Sequence, residues 1–236
     1  MSLFDELIVY NDDEPRAATL NMALDEALLE SVTVPTIRFY RWRRPSLSFG
    51  YFGRYIDVAP HESEQEIVRR WTGGGTVFHG DDLTYSLIIP ASDPLFSERS
   101  MSIYQKIHRA IQKVLVAIDQ QAELASAAAV DDRRNQLDST VADRRYNGQE
   151  CFANPVREDV MVNGRKVAGG AQRRTRLGIL HQGSIQLDAL PDGFAEQLSA
   201  ALGNSLNRET LGAATMQRAQ TIADRKYGTA EWLRRR

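Results

Sequence analysis

Residues 69–79 combine three consecutive glycines with two arginines and a histidine, in the order RRWTGGGTVFH. Glycine tolerates sharp turns and leaves its amide groups uncovered, so an acidic or carbonyl-bearing ligand can lie directly against the main chain. Arginine places fixed positive charge beside those donors. The run therefore predicts either a site for a carboxylate, phosphate or thioester ligand, or a tight turn flanked by solvated arginines. The residues alone leave both interpretations open.

Cys151 is the only cysteine of the chain, so an internal disulfide is excluded and a reducing, cytoplasmic setting is expected. Most free cysteines are unreactive core residues. The polar neighbours Gln149, Glu150 and Asn154 instead indicate a loop or the edge of a strand. A thiol in such a place becomes a nucleophile when a positive or basic group lies beside it.

Lys166 follows an Asn163–Gly164 pair, which is the strongest short signal for a β-hairpin, and precedes the small-residue run 168–171. Small residues pack poorly in a strand, so this run predicts space for a ligand or a second backbone. A lysine ammonium at the border of such a groove could orient a carbonyl oxygen. The alternative is a solvated lysine near a turn.

Two histidines, His79 and His181, each border a strand-like segment, where a hydrogen-bonded structural role is the common one. No histidine and carboxylate pair has the spacing of metal ligands, so no metal site is predicted. The glycine run also lacks the Gly-Lys-Ser/Thr ending of a phosphate-binding loop.

The hydrophobic periodicity predicts helices and strands that interleave without a regular βαβ rhythm, which favours an α+β fold with a mixed β-sheet flanked by helices. Helices are predicted at 18–30, 101–119, 194–202 and around Glu231; strands are predicted at 36–42, 46–50, 83–89 and in a meander over 157–187. Residues 120–148 lack an apolar period and predict an exposed insertion. We expect one domain over 1–236.

The composition is that of an ordinary globular protein, with 236 residues, 42% hydrophobic and 25% charged residues. The net charge of −2 argues against a nucleic-acid-binding protein. No stretch approaches the roughly 20 apolar residues of a membrane span, and the amino terminus lacks the features of a signal peptide. These observations predict a cytoplasmic protein with neither a nucleic-acid nor a membrane partner.

The two motifs together resemble the lipoate–protein ligase, octanoyltransferase and biotin–protein ligase superfamily. The run 69–79 is similar to its ligand-binding loop, and residues 163–174 look like the motif that carries its lysine. Weaker matches extend the resemblance over about residues 5–205 in consistent order. Gly80 stands where relatives commonly have an acidic residue after the histidine, and Asp81 and Asp82 follow it. The resemblance implies a biotin/lipoate ligase-like catalytic domain with a tunnel for an eight-carbon acyl chain.

Within that superfamily, Cys151 occupies the place of the nucleophile of the cysteine-dependent octanoyltransferases. The resemblance implies transfer of octanoyl from acyl carrier protein to this cysteine as a thioester, and then to a lysine of a lipoyl domain, such as the glycine-cleavage carrier or a dehydrogenase acyltransferase subunit. That reaction requires no cofactor. The implied catalytic residues are Cys151 and Lys166, and the implied substrate-binding residues are Arg69, Arg70, Gly73, Gly74, Gly75, His79, Gly169, Gly170 and Ala171.

Two alternatives remain at this point. One is an ATP-dependent lipoate–protein ligase, using ATP, magnesium and lipoate, whose accessory domain is absent or separate. The other is a non-catalytic paralogue that binds a carrier protein or an acyl ligand.

Overall fold

A computed structural model describes residues 2–126, 152, 154–188 and 190–235, and two mixed sheets form its frame. The strands are β1 (Phe4–Arg16), β2 (Thr36–Trp42), β3 (Ser46–Phe49), β4 (Glu66–Arg69), β5 (Val77–His79), β6 (Leu83–Pro90), β7 (Ala122–Leu124), β8 (Val160–Val162), β9 (Arg165–Arg174), β10 (Gly178–Ile185) and β11 (Gly203–Glu209). Eight of them form one sheet in the order β11-β1-β2-β6-β10-β9-β8-β7, and the other three form a second sheet in the order β4-β3-β5. β1 runs parallel to β2 and β11, and β3 runs parallel to β4, whereas the remaining pairs are antiparallel.

Helices pack on both faces of the larger sheet, and the last helix packs against the smaller sheet. They are α1 (Ala18–Ser31), α2 (Ser100–Ala117), α3 (Phe194–Leu202), α4 (Ala213–Ile222) and α5 (Ala230–Leu233), with a π-helical turn over Ala223–Tyr227 between the last two. α2 and α3 cover one face, where their aliphatic side chains join the core formed by β1, β2 and β6. α1 and α4 cover the opposite face over Tyr40 and Trp42 of β2. This layering follows from the two-residue period of the strands, which sends alternate side chains to opposite faces.

The predicted α+β architecture is confirmed, and α1, β2, β6, α2, the β8–β10 meander and α3 lie where the periodicity indicated. The periodicity did not indicate β1, β4, β5 and β11, nor the helix α4. Polar residues fill the second half of β1 and most of β11, because those parts of the sheet are half-exposed at its edge. The segment predicted as an insertion, 120–148, begins differently from expectation, since residues 122–124 pair with β8 at the other edge of the sheet. Residues 127–148 lie outside the described residues.

Candidate functional site

The glycine loop, defined here as residues 72–76, connects two strands of the smaller sheet and rests against β3. Gly74 has φ +86°, a left-handed conformation that glycine adopts without strain. A Cβ atom placed on Gly50, at the end of β3, would lie 2.1 Å from the carbonyl oxygen of Gly74. Glycine is therefore required at Gly50 by the close approach of the two backbones, and it is favoured at Gly74 by the left-handed conformation.

Arg70 holds the glycine loop from within. Its guanidinium donates to the carbonyl oxygens of Gly75 at 2.7 Å and Gly73 at 3.2 Å, and to the Ser48 hydroxyl at 2.6 Å. The carbonyl groups of Gly73 and Gly75 therefore point toward Arg70. Within the described residues, the amides of Gly74 and Gly75 donate no hydrogen bond. The loop thus combines uncovered amide donors with a buried cation, which differs from a turn flanked by solvated arginines.

Arg69 differs from the expectation that it contacts a ligand. It is almost fully buried, and its guanidinium donates to five backbone carbonyls, which belong to Tyr51, Gly53, Trp232, Leu233 and Arg235. Successive side chains of a strand point to opposite faces, so Arg69 and Arg70 cannot both face the same site. Arg69 attaches the carboxy-terminal helix to the smaller sheet and does not line the cavity.

His79 lies in a chain of hydrogen bonds that ends at Arg70. Its Nε2 atom is 2.6 Å from the Ser48 hydroxyl, and its Nδ1 atom is 2.9 Å from Asp82. Its ring stacks on Trp42 with centroids 4.1 Å apart. Asp82 also accepts hydrogen bonds from Thr84 and Ser184. These contacts fix the orientation of His79 beside the glycine loop.

The groups around Asp82 favour the ionised form of its carboxyl group. Burial alone would raise the pKa of its carboxyl group, but the neighbouring His79 ring and the hydrogen bonds from His79, Ser184 and Thr84 leave that pKa below its usual value. The acidic partner of His79 is thus Asp82, three residues along the chain, whereas the adjacent position 80 is a glycine.

The small-residue run of β9 supplies the opposite wall of the site. A Cβ atom on Gly170 would lie 2.6 Å from Nε2 of the buried His181, and one on Gly169 would lie 2.7 Å from Nζ of Lys166. Ala171 faces Gly74, whose added Cβ would be 3.4 Å from that of Ala171. The glycines of β9 therefore make room for neighbouring polar side chains as well as for an open cavity.

Lys166 is buried and forms an ion pair with Asp159, its Nζ atom lying 2.8 Å from Oδ2 of that residue. The same ammonium lies 5.2 Å from the ring centroid of Phe152. The interpretation of Lys166 as a solvated lysine is therefore wrong. A buried cation of this kind, paired with a carboxylate at the edge of a cleft, can stabilise negative charge on a bound substrate.

A narrow cavity of about 30 Å³ lies between the glycine loop and β9, with largely apolar walls. Of the predicted site residues, Arg70, Gly74, His79, Gly169, Gly170 and Ala171 line it. A wider cleft of about 910 Å³ adjoins it and is lined by Lys166. His79 and Phe152 border both spaces, so the cavity and the cleft meet beside them.

Cys151 lies outside the described residues, so the structure does not test its expected role. Phe152, which follows it in the chain, stands where the cavity and the cleft meet.

A buried ionic network supports the glycine loop from the direction of α1. Gln182 donates to Asp25 at 2.7 Å and accepts from the Thr72 hydroxyl at 2.7 Å. Asp25 in turn pairs with Arg38, and Arg38 with Asp12. Gln182 was not predicted as a site residue, although it lies next to His181 in the third strand of the meander.

His108 and His181 lie behind β9 and are fully buried. Burial lowers the pKa of His108 to about 4, and burial with the proximity of His108 lowers the pKa of His181 well below its usual value. Both rings are therefore neutral near pH 7. His181 has the hydrogen-bonded structural role that its position in a strand predicted, since it contacts Tyr85 and Gln172.

Among the described helices, none is long and apolar enough to cross a bilayer.

The chain is 35% identical over 188 residues to octanoyltransferase LipM of Oceanobacillus iheyensis, and 37% identical over 177 residues to octanoyltransferase LipM of Bacillus cereus. These alignments cover 75% and 71% of this chain but only 62% and 61% of the two relatives. The chain thus spans about three fifths of the length of these curated relatives.

Solved structures of lipoate ligases share the fold. Protein Ta0514 of T. acidophilum, described as a lipoate protein ligase with bound lipoic acid, superposes with a TM-score of 0.71 at 19% identity and covers 97% of this chain and 98% of its own. Lipoate-protein ligase A bound with ATP gives 0.70 at 19% identity, covering 98% of each chain. Residues 17–223 match the family described as the lipoyl protein ligase A/B catalytic domain. With this match and these relatives, the chain belongs to the lipoyl protein ligase A/B catalytic domain family.

Proposed function

We propose that this protein is an octanoyltransferase that moves an octanoyl group from acyl carrier protein to Cys151 and then to a lysine of a lipoyl domain. The observation that carries the proposal is the position of Lys166. Its buried ammonium lines the cleft beside Phe152, the chain neighbour of the only cysteine. The relatives named octanoyltransferase LipM support the same reaction.

In the first step, the Cys151 thiolate attacks the carbonyl carbon of the octanoyl thioester. A new carbon–sulfur bond forms, and the carbon–sulfur bond to the carrier breaks, so that the carrier leaves as a thiolate and takes up a proton. One thioester replaces another, so the step is close to isoenergetic and needs no ATP. In the second step, the lysine amine of the acceptor attacks the same carbon, forms the amide, loses a proton and regenerates the Cys151 thiolate.

Two groups of this chain stabilise the negative charge that develops on the carbonyl oxygen. The Lys166 ammonium supplies a cation in a water-poor setting, where its effect is larger than at the surface. The uncovered amides of Gly74 and Gly75, with Arg70 behind them, supply fixed dipoles. Gly169, Gly170 and Ala171 help to line a narrow apolar cavity, which is the proposed place of the acyl chain and would have to widen when the chain binds.

The proposed partners are acyl carrier protein as the donor and a lipoyl-domain protein as the acceptor, with the chain acting as one catalytic domain. No cofactor takes part in the transfer. The glycine loop and Arg70 would contact the thioester-bearing arm of the donor. Arg69 is left out of this role, because its guanidinium is saturated by backbone carbonyls.

The test is the intact mass of the protein after incubation with octanoyl–acyl carrier protein in the absence of ATP. The wild type should gain one octanoyl group that neutral hydroxylamine removes, since hydroxylamine cleaves thioesters. Cys151→Ala should gain none. Addition of a lipoyl domain should then move the octanoyl group from the wild-type enzyme to the acceptor.

Absence of an adduct on the wild type would contradict the proposal. Modification of the lipoyl domain that requires ATP and lipoate, and survives in Cys151→Ala, would identify a ligase instead. Binding of the carrier without acyl transfer under either condition would identify a non-catalytic paralogue.

A further inference from the structure

Asp159 is a carboxylate whose two oxygen atoms are both occupied within a fully buried site. Oδ2 accepts from Lys166 Nζ at 2.8 Å and from the backbone amide of Val156 at 2.6 Å. Oδ1 accepts from the Tyr104 hydroxyl at 2.5 Å. Because the exposed fraction of the Asp159 side chain is 0% and that of Lys166 is 1%, water cannot replace either partner. Removing one member of such a buried pair leaves an uncompensated charge.

Two residues of α2 fix the direction of this carboxylate. Tyr104 and His108 are four residues apart and lie on one helix face. The Tyr104 hydroxyl donates to Asp159 and accepts from the amide of Gly170 at 3.1 Å. His108 Nδ1 lies 2.6 Å from the carbonyl oxygen of Glu158 and can only donate to it. Burial and the nearby Asp159 raise the pKa of Tyr104, so its phenol keeps the proton that it donates.

The backbone around Asp159 is held as firmly as its side chain. Glu158 has φ +71°, a left-handed conformation that is uncommon outside glycine. Ala125 forms two backbone hydrogen bonds with this segment: its carbonyl accepts from the amide of Glu158 at 2.9 Å, and its amide donates to the carbonyl of Asp159 at 2.8 Å. The segment 156–159 is therefore clamped between α2 and the strand edge, so Asp159 presents its carboxylate to β9 in one orientation.

Lys166 needs such a partner because its side chain has four rotatable carbons and a compact charge. Its stem packs over Gly169, where an added Cβ would lie 2.5 Å from Cε and 2.7 Å from Nζ. Gly169 therefore leaves the space that the Lys166 side chain occupies along β9, and the Asp159 carboxylate fixes the position of the ammonium group at its end. The Tyr104 hydroxyl bonds to both Asp159 and the amide of Gly170, and Gly170 lines the proposed acyl cavity.

We propose that Asp159 is the positioning residue of the transfer reaction: held by Tyr104, it keeps the Lys166 ammonium directed at the cleft where the acyl carbonyl is bound. This inference rests on the proposed function and goes beyond it, because it assigns roles to two residues outside the family motifs described above. Asp159 acts through Lys166 and does not itself touch the substrate.

The test measures single-turnover formation of the octanoyl adduct for Asp159→Asn in two backgrounds, the wild type and Lys166→Ala. In the wild type, Asp159→Asn should lower the rate about 100-fold with less than about a threefold change in the half-saturating donor concentration. In Lys166→Ala, it should cause no further loss, since its effect passes through the lysine. Asp192→Asn is the matched control, because this exposed acid lines neither the cavity nor the cleft and should leave the rate unchanged.

Tyr104→Phe removes one hydroxyl and keeps the ring, so it tests the same arrangement if Asp159→Asn fails to fold. We expect a loss of about tenfold, again absent in the Lys166→Ala background. An equal loss in both backgrounds would reveal a merely structural role and overturn the inference, as would an unchanged rate. Failure of the proposed function would be distinguishable, since the wild type itself would then form no adduct.

Discussion

At the scale of single residues, two adjacent arginines have opposite surroundings. Arg70 faces the cavity and binds the glycine loop and Ser48, whereas Arg69 faces the carboxy-terminal helix. The sequence identified the pair but could not divide the roles, because alternation along a strand shows that two neighbours differ and does not show which one faces the ligand.

We expect Arg70→Lys to lower kcat/KM for octanoyl transfer by at least about tenfold, because lysine cannot reproduce the planar fork that reaches Ser48 and two carbonyls at once. Arg69→Lys should lower the melting temperature and leave kcat/KM within about threefold of the wild type. Steady-state kinetics and thermal unfolding of both variants check the division. Equal kinetic losses in the two variants would contradict it.

The site residues that the sequence identified are marked by their immediate neighbours in the chain, whereas those found only in the structure are marked by long-range contacts. The glycine run and Lys166 are marked by local chemistry, since consecutive glycines and small strand residues are unfavourable without a purpose. Asp159 and Gln182 act through contacts with residues distant in the chain, and those contacts depend on how the strands and helices pack. Such packing is not readable from one sequence, so no local pattern distinguishes these residues from ordinary polar ones.

At the scale of elements, the close packing of the glycine loop on β3 leaves no room for a side chain at Gly50. Gly50→Ala would place its Cβ 2.1 Å from the Gly74 oxygen and 2.7 Å from the Gly73 carbonyl carbon, so the loop backbone must move. We expect a loss of at least about tenfold in adduct formation, since misplacement of a binding group by 1 Å is costly. The matched control is Gly212→Ala, where an added Cβ meets nothing within 4 Å. A Gly50→Ala variant with the wild-type rate would show that the loop does not form the site.

The ionic network that joins α1 to the sheet is the second feature at this scale. Asp25 accepts from Arg38, Ser86, Tyr40 and Gln182, and all its partners are buried. Asp25→Ala should lower the free energy of unfolding by about 3–5 kcal/mol, because Arg38 loses one of its two carboxylate partners inside the protein. Urea denaturation measures the loss. The exposed Asp13 provides the control, since Asp13→Ala should change the free energy of unfolding by less than about 0.5 kcal/mol.

At the scale of the whole molecule, the elements were more predictable than their arrangement. Periodicity located most helices and strands because each buries one face. It could not show that β10 lies between β6 and β9, or that a separate three-stranded sheet carries the glycine loop. These pairings bring residues 70–79 and 166–171 to opposite walls of one cavity, and they arise from contacts of long sequence separation.

The two neutral histidines behind β9 make the stability of the whole fold depend on pH. The folded pKa of His108, about 4, lies below the usual value of 6.5, and that of His181 is lowered in the same direction. The unfolded chain therefore binds more protons than the folded one between these values, so stability is complete above about pH 6.5 and falls as the pH is lowered toward 4. The lowered pKa of Asp82 acts in a separate window, below its usual value of 3.8.

We expect the free energy of unfolding to fall between pH 6.5 and pH 4 by about 3 kcal/mol from His108 alone, at 1.36 kcal/mol for each unit of pKa difference. His108→Gln removes the titrating ring and keeps a donor for the Glu158 carbonyl. This variant should be less stable than the wild type at pH 7, and its stability should decline less steeply down to pH 4. Urea midpoints at intervals across this range give both slopes. Parallel slopes for the two proteins would mean that His108 is not buried as a neutral ring, and the acid sensitivity would then have to arise elsewhere in the fold.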